Sequence, residues 1–449
     1  MSSLKQKAIK GTVWTIMGYG GANILRLASN LILTRLLVPE LFGLMALVNT
    51  FIMGIALFSD IGIGPSIIQN KRGDDPIFLN TAWTLQVIRS CAIWLLSLGI
   101  CVPVSHFYNE PRLLWLLPLV ALNVLINGFR STKLATVNRH LMVSKLTIFN
   151  LTVQAISLIV TIVWAFFKPT IWALVVGNFF SSILGLVLSY RIIPGTGNRF
   201  AWDKTSLKEL ISFGKWIFVS TMMTFLASQS DKLFMGKLFS TKMLGVYTIA
   251  ATFSEMPRQI LGAISGQIIF PVISAQKDLP RQVLRAKILQ KRWLILVGMI
   301  AVLLPLTCFG DLLVLNLYKK AYYDAAWMLP ILALGMWPAV LNQSMSPALI
   351  AIGKPFYNAA GDFSKFMFMA IGLPLAFHKL GIVGPILIIA FNDLPSYIVM
   401  NYGLWREKLF ALKQDILATM LLITVLSVVL MGRYLLGGGT PIDRIIQIH

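Results

Sequence analysis

The sequence predicts an all-α integral membrane protein: two parallel repeats of six transmembrane helices, followed by at least one extra C-terminal helix. Three observations carry that expectation. Of 449 residues, 57% are hydrophobic and 12% charged, with a mean hydropathy of +0.77, far outside the usage of water-soluble domains. Apolar windows long enough to cross a hydrocarbon core of about 30 Å recur roughly thirteen times. Stretches of the first half also return in the second.

The windows lie near 12–34, 41–64, 82–103, 113–130, 146–167 and 170–190, then 213–234, 243–270, 292–316, 327–350, 362–379 and 382–404, with a last one at 415–436. The run from Thr12 is too long for a signal-peptide core and has no small-residue cleavage pattern after it, so it is expected to stay as the first span. Residues 1–190 form the expected N-terminal six-helix lobe and 212–405 the C-terminal one. Between them, 191–211 has the Pro, Gly and charge content of a cytoplasmic linker with a short amphipathic helix, which Asp203 or Thr205 is placed to cap. An extra transmembrane helix and tail fill 406–449.

The repeat is read from spacing. "KGTVW" at 10–14 faces "FGKWI" at 213–217. Arg35 stands eight residues before Gly43 in "RLLVPELFGLMALV", as Lys237 stands eight before Gly245 in "KLFSTKMLGVYTIA". About six spans separate the equivalent positions, and an even number returns the chain to the same side of the membrane, so the repeats are parallel. That architecture predicts a cavity between two helical lobes that rock against each other.

A formal net charge of +22 would suit a nucleic-acid partner, but the cations gather in alternate short connections. Lys5, Lys7 and Lys10 precede the first span; Lys71 and Arg72, then Arg130, Lys133, Arg139 and Lys145, then the linker and Lys277 to Arg292, then Arg406, Lys408 and Lys413 follow on the same side. The positive-inside rule reads them as solvated topology signals with the N-terminus in the cytoplasm, and no nucleic-acid partner is expected.

Polar side chains inside the spans fall on stripes. Thr15, Tyr19, Asn23, Arg26 and Asn30 step by four, four, three and four along one helix face. A guanidinium near mid-span costs roughly 2.5–3.5 kcal/mol on insertion scales, so that face is expected to meet water or a partner rather than lipid. The seventh span carries Thr221, Thr224, Ser228 and Asp231 on a comparable stripe, and others run through Gln86 and Arg89, through Asn123, Asn127 and Arg130, through Asn150, Gln154, Ser157 and Thr161, and through Asn358, Asp362 and Lys365. The uncharged positions read best as interhelical hydrogen-bonding groups. Arg26 and Arg89 read as cations of a water-filled cavity that suits an anionic load. In "SEMPRQ", Glu255 and Arg258 can pair across one turn beside a kink at Pro257, as a fixed salt bridge or as a gate. Asp60, in "SDIGIG", caps the second span or joins Asp231 and Glu255 as a candidate for ion coupling.

Other chemistries are unsupported. There is no Walker-type phosphate loop and no metal-ligand cluster, and His106, His140, His378 and His449 are scattered. Cys91, Cys101 and Cys308 have no metal or redox spacing and read as packing residues. No cofactor and no metal is expected.

The opening from Lys10 to Gln69 resembles the N-terminal pattern of Wzx-like polysaccharide transporters, which are lipid-linked oligosaccharide flippases of the multidrug/oligosaccharidyl-lipid/polysaccharide (MOP) exporter superfamily. The elements that carry the resemblance are a basic residue, Gly and Trp before the first span, "RLLVPELFG" after it, and "SDIGIG" closing the second. "ISFGKWI", "DKLFMGKLFSTKMLGVYTIA" and "IIFPVIS" look like the matching signatures of the second lobe. Over roughly residues 8–430 the resemblance implies a MATE-like MOP fold in a bacterial inner membrane and a transporter rather than an enzyme. It implies an undecaprenyl-pyrophosphate-linked oligosaccharide as the load, for O-antigen, capsule or exopolysaccharide. The residues that match cavity cations are Arg26, Arg89 and, more weakly, Lys215, with Tyr19, Asn23, Asn30 and Ser228 beside them. Polysaccharide polymerase and export machinery are the partners it suggests. A multidrug cation exporter of the same fold would favour acidic cavity residues over this Arg-bearing stripe. A membrane glycan polymerase would want a large catalytic outward loop, whereas the outward loops here are short; a passive scaffold is the remaining alternative.

Overall fold

The computed structural model describes residues 2–60, 62–139, 142–191, 197–276, 278–437 and 439, with side chains at these positions other than 2–13, 15, 16, 138, 143, 212–220, 267 and 268. Among them there is no strand. Among the described residues nine helices are long and apolar enough to cross a membrane, and Leu113–Gly128 is a shorter apolar one. The chain divides into two compact units, Met1–Phe225 and Leu226–His449.

The first unit holds α1 (Ser2–Leu36), α2 (Pro39–Phe58), α3 (Ile63–Gln69), α4 (Pro76–Tyr108), α5 (Leu113–Gly128), α6 (Lys133–Arg139), α7 (Val143–Phe167), α8 (Ile171–Arg191) and the first part of α9 (Lys204–Leu238). Local chemistry sets the breaks. Val38 is extended and Pro39 opens α2, as proline's fixed φ and missing N–H favour at a first helical position. Asp75 caps α4 by accepting from the Ile77 amide at 3.0 Å, with Pro76 next to it. Asn109, at φ 54°, closes α4 in the left-handed region. The apolar faces of α2, α4, α5 and α8 meet around Leu44, Val48, Leu116, Leu117, Val120 and Val175, all buried. α1 lies along α7, where Gly18 backs onto Thr147 and Gly21 onto Leu151; Gly20 faces open space.

The expected short linker helix is the start of α9, which runs unbroken from Lys204. Asp203 caps it, accepting from the Ser206 amide at 2.9 Å and its hydroxyl at 2.6 Å. The residues before it are tied down rather than loose: the amides of Arg199, Ala201 and Asp203 donate to Asn80, Thr84 and Thr81 of α4. Arg72 draws this corner together, at 2.7 Å from Asp75, 3.6 Å from Glu209 and 3.8 Å from Asp203. Its hydrogen bond holds the Asp75 carboxyl below the usual carboxylate range.

The second unit continues with α10 (Thr241–Ser254), α11 (Met256–Ile264), a π turn (Ser265–Ile269), α12 (Phe270–Ser274), α13 (Arg281–Leu317), a 3-10 turn (Lys320–Tyr322), α14 (Ala325–Gly335), α15 (Trp337–Ala351), α16 (Phe356–Leu380), α17 (Val383–Ala390), α18 (Leu394–Arg406) and α19 (Leu412–Leu435). The expected spans 243–270, 327–350 and 382–404 are each broken, and Pro257, Pro338 and Pro395 stand in the first turn after the break. α14 and α15 form the centre of this unit: 83% of their most apolar window is buried. α19 is the extra C-terminal helix. Large apolar side chains such as Leu294, Phe166 and Phe167 are exposed, as lipid-facing surface requires.

Two cations correct the sequence reading of solvated loops. Arg292 is 2% exposed and pairs with Asp415 at 2.6 Å while donating to Ser344 and Leu341. It belongs to α13, not to the connection before it, because the helix begins eleven residues earlier at Arg281. Arg130 is half-buried.

Arg433 of α19 pairs with the fully buried Asp311 of α13 at 2.6 Å and also donates to the Cys308 carbonyl. Arg433→Ala leaves Asp311 charged in an apolar interior and is expected to cost about 3–5 kcal/mol, whereas Arg433→Met combined with Asp311→Leu stays near wild type. Unfolding temperatures of the detergent-solubilised protein check both.

Candidate functional site

In the first unit the site is built around the end of α2. Gly62 adopts φ 63°, ψ 37°, a conformation open to glycine at no steric cost, and Asp60 accepts from its amide at 3.0 Å. The turn stops α2 and leaves its last carbonyls without intrahelical partners. Arg89 of α4 fills that need: its Nη2 donates to the Ala56 carbonyl at 2.5 Å and its Nε to the Ser59 hydroxyl at 3.1 Å. Asp60 lies 3.7 Å away. The expected cavity cation and the expected cap are thus one assembly. Arg89 also lines a cavity of about 390 Å³ with Gln86, Asn127, Arg130, Ser131 and Thr132.

Arg26 does not line that cavity. It is exposed on α1 and donates to Asn23 at 2.8 Å. Tyr19 is 54% exposed; Asn23 and Asn30 are half-buried. α1 meets α7 through Gly18, Gly21 and Ala22, the last accepting from Gln154 at 3.1 Å. At about 100° per residue the Tyr19–Asn23–Arg26–Asn30 stripe stands roughly a third of a turn from that packed face. Gln154 and Ser157 act as the expected helix-joining groups, donating to the carbonyls of Ala22 in α1 and Gly177 in α8, whereas Thr161 donates within α7 to the Ser157 carbonyl. The Lys215 side chain lies outside the described residues.

The second unit gathers charge where two helix breaks meet. Arg258, just past the Glu255 break, lies 3.4 Å from Glu255 as the i, i+3 spacing predicts. Its shorter contact is to Asp393, in the break between α17 and α18. Lys365 of α16 reaches the same carboxylate at 3.2 Å to both oxygens. Asp393 and Lys365 side chains are 7% and 6% exposed, so one buried carboxylate is clamped by two cations. Sequence reasoning left Asp393 unassigned, although a carboxylate two residues before a mid-span proline was the available signal. Asp231 accepts from the Tyr247 hydroxyl, and its other oxygen is buried with no partner among the described residues. Ser228 is exposed. Cys101 and Cys308 are buried and Cys91 half-buried. Among the described residues no group of three or more His, Cys, Asp or Glu could hold a metal ion.

A family model described as "Polysaccharide biosynthesis protein" matches residues 32–327. Lipopolysaccharide biosynthesis protein WzxC of Escherichia coli (strain K12) is 23% identical over 418 residues, 89% of this chain and 82% of that protein. The putative O-antigen transporter of Shigella flexneri is 23% identical over 408 residues, 84% of this chain and 92% of that protein. Among solved structures, the lipid II flippase MurJ in an inward closed conformation aligns with a TM-score of 0.72 at 13% identity, over 94% of this chain and 92% of that one. An inward-facing multidrug resistance MATE family transporter of the MOP superfamily aligns with a TM-score of 0.65 at 12% identity, over 86% and 94%. The fold is therefore the MATE-like MOP fold, in a multi-pass membrane protein.

The clamp at Asp393 gives an ordered prediction. Asp393→Asn strands Arg258 and Lys365 together and is expected to cost about 3–5 kcal/mol, while Glu255→Gln, at the exposed edge, costs under about 1 kcal/mol. Unfolding temperatures of the two variants check the order.

Proposed function

The chain belongs to the polysaccharide biosynthesis protein family, and on that premise we propose that it is a flippase. Its load is an undecaprenyl-pyrophosphate-linked oligosaccharide, moved from the inner to the outer leaflet of a bacterial inner membrane for O-antigen, capsule or exopolysaccharide. The observation that carries the reading is the polar stripe of α1. Arg26 is exposed on α1, which covers the expected first span but is not among the nine helices of the described residues long and apolar enough to cross a membrane, and a guanidinium carried into a bilayer there would be stable against water or an anionic load but not against lipid tails. The sugar-pyrophosphate head travels along such polar faces while the polyprenyl tail stays in the bilayer.

In this reading Arg26 and Arg89 hold the pyrophosphate, with Tyr19, Asn23, Asn30, Lys215 and Ser228 offering donors and acceptors to the head. Asp60, Asp231, Glu255 and Arg258 serve gating or ion coupling; the unpartnered oxygen of Asp231 makes it the strongest of the four for a proton or cation. Residues 191–211 act as the cytoplasmic connection between lobes at 1–190 and 212–405, and 406–449 adds the extra helix. The N-terminus lies in the cytoplasm, on the side of the cation-rich loops. A multidrug cation exporter fits less well, since Arg26 and Arg89 would repel its load.

The test is made in cells lacking the protein, by finding which leaflet holds the lipid-linked oligosaccharide. It is expected to collect on the cytoplasmic face and to be released by wild type. Arg26→Ala and Arg89→Ala, inserted at wild-type levels, are expected to slow export at least about tenfold, the loss of one charge-assisted hydrogen bond. Oligosaccharide that reaches the outer face without the protein but fails to lengthen would replace transport with polymerisation or scaffolding.

A further inference from the structure

In the second unit α11, α12 and α13 all pack on α15, and the trough left between the first two and α13 is a cavity of about 640 Å³. Its floor is Ile273, Leu284 and Ile288, which join the buried cluster on α15. A π turn shapes one wall. Ile264 and Ile269, five positions apart, would stand about 140° apart round an ideal α-helix. The bond from the Phe270 amide to the Ser265 carbonyl, five residues back, takes in an extra residue, and both isoleucines line the cavity.

The trough crosses the edge of the bilayer. α13, 37 residues long, spans about 55 Å, against about 30 Å of hydrocarbon. Its cations end at Arg292, and from Trp293 to Leu317 the only charged residue is Asp311, which is paired with Arg433. The hydrocarbon boundary therefore falls near Trp293. On its headgroup side Lys287, Gln290 and Lys291 line the cavity, and the Lys287 ammonium donates to Gln276, another lining residue, at 3.2 Å. On its hydrocarbon side stand Ile295 and Leu294, the latter 79% exposed. No Asp or Glu among the described residues lines the cavity, and the third cation of its wall, Arg292, is held by Asp415 and Ser344. We infer that the trough is a lipid site that takes an anionic glycerophospholipid from the leaflet at the N-terminal end of α13. One acyl chain lies along Ile264, Ile269 and Ile288, and the phosphate diester sits against Lys287 and Lys291. A hydrocarbon chain gains little by leaving the bilayer for an apolar wall, so the headgroup charge decides which lipid stays. The site shares no residue with those proposed to hold or gate the transported load, so the two readings fail separately.

The experiment uses the full chain in nanodiscs of phosphatidylcholine doped with phosphatidylglycerol that carries a diazirine on one acyl chain. After irradiation, mass spectrometry maps the adducts. Those on α12 and on α13 between Leu284 and Ile295 are expected to exceed those on the exposed apolar face at Phe166 and Phe167 at least about tenfold, with no such excess from a phosphatidylcholine probe. Lys287→Gln combined with Lys291→Gln should bring the excess down to the level of that face, each lysine contributing about fivefold. Lys354→Gln combined with Arg406→Gln, an equal charge change at exposed positions outside the cavity, should keep it. Adducts spread evenly over the lipid-facing surface overturn the site, as does an equal excess from the phosphatidylcholine probe or an equal loss in both double variants. Displacement of the adducts by an equal amount of undecaprenyl phosphate assigns the trough to a polyprenyl lipid and overturns the phospholipid. The comparison of the two probes on the wild-type protein decides the matter if the lysine variant does not fold.

Discussion

A charge carried into hydrocarbon must find its counter-charge inside the protein or reach water, and most of this structure can be understood from how each side chain meets that demand. In the second unit the demand is met by direct pairing. Arg433 and Asp311 join α19 to α13, Arg292 and Asp415 join them again further along, and Asp393 holds Arg258 of α11 and Lys365 of α16 together. Each pair orients helices whose apolar surfaces would otherwise slide with little preference. The charges act as registration points in a medium where hydrophobic burial gives helices no reason to associate.

The first unit meets the same demand differently. Arg89 takes up the open carbonyl end of α2 and keeps Asp60 at a longer distance, while Arg130 has a carbonyl and a glycine-lined recess but no carboxylate among the described residues. Arg26 remains exposed beside the face by which α1 packs on α7. Both units carry more cations than acids, 19 against 7 in the first and 20 against 10 in the second; what differs is that the second sets its most deeply buried cations directly against carboxylates. Helix breaks at Gly62, Pro257 and Pro395 supply the local backbone openings at which these charges gather.

Much of this was legible beforehand. Hydropathy and the apolar windows indicated the all-α membrane class, the resemblance around "RLLVPELFG" and "SDIGIG" indicated the MOP fold, and Pro257 marked a real break. The i, i+3 pairing of Glu255 with Arg258 followed from helical spacing alone. The longer-range choices did not. Arg258 prefers Asp393, 135 positions away, and Arg292 looked like a loop cation until α13 carried it into the interior against Asp415.

The sequence by itself determined the fold class, the order of its helices, and which faces of them are polar, because these follow from composition and from periodicity over a few residues. Only the tertiary structure decided which cation meets which carboxylate and which is left without one. Pairing depends on the distance between side chains on different helices, and no periodicity within one helix encodes that distance. Arg130 and Arg433 both sit near helix ends in sequence; packing against Gly185 in one case and Asp311 in the other made the first an open cation and the second a closed pair.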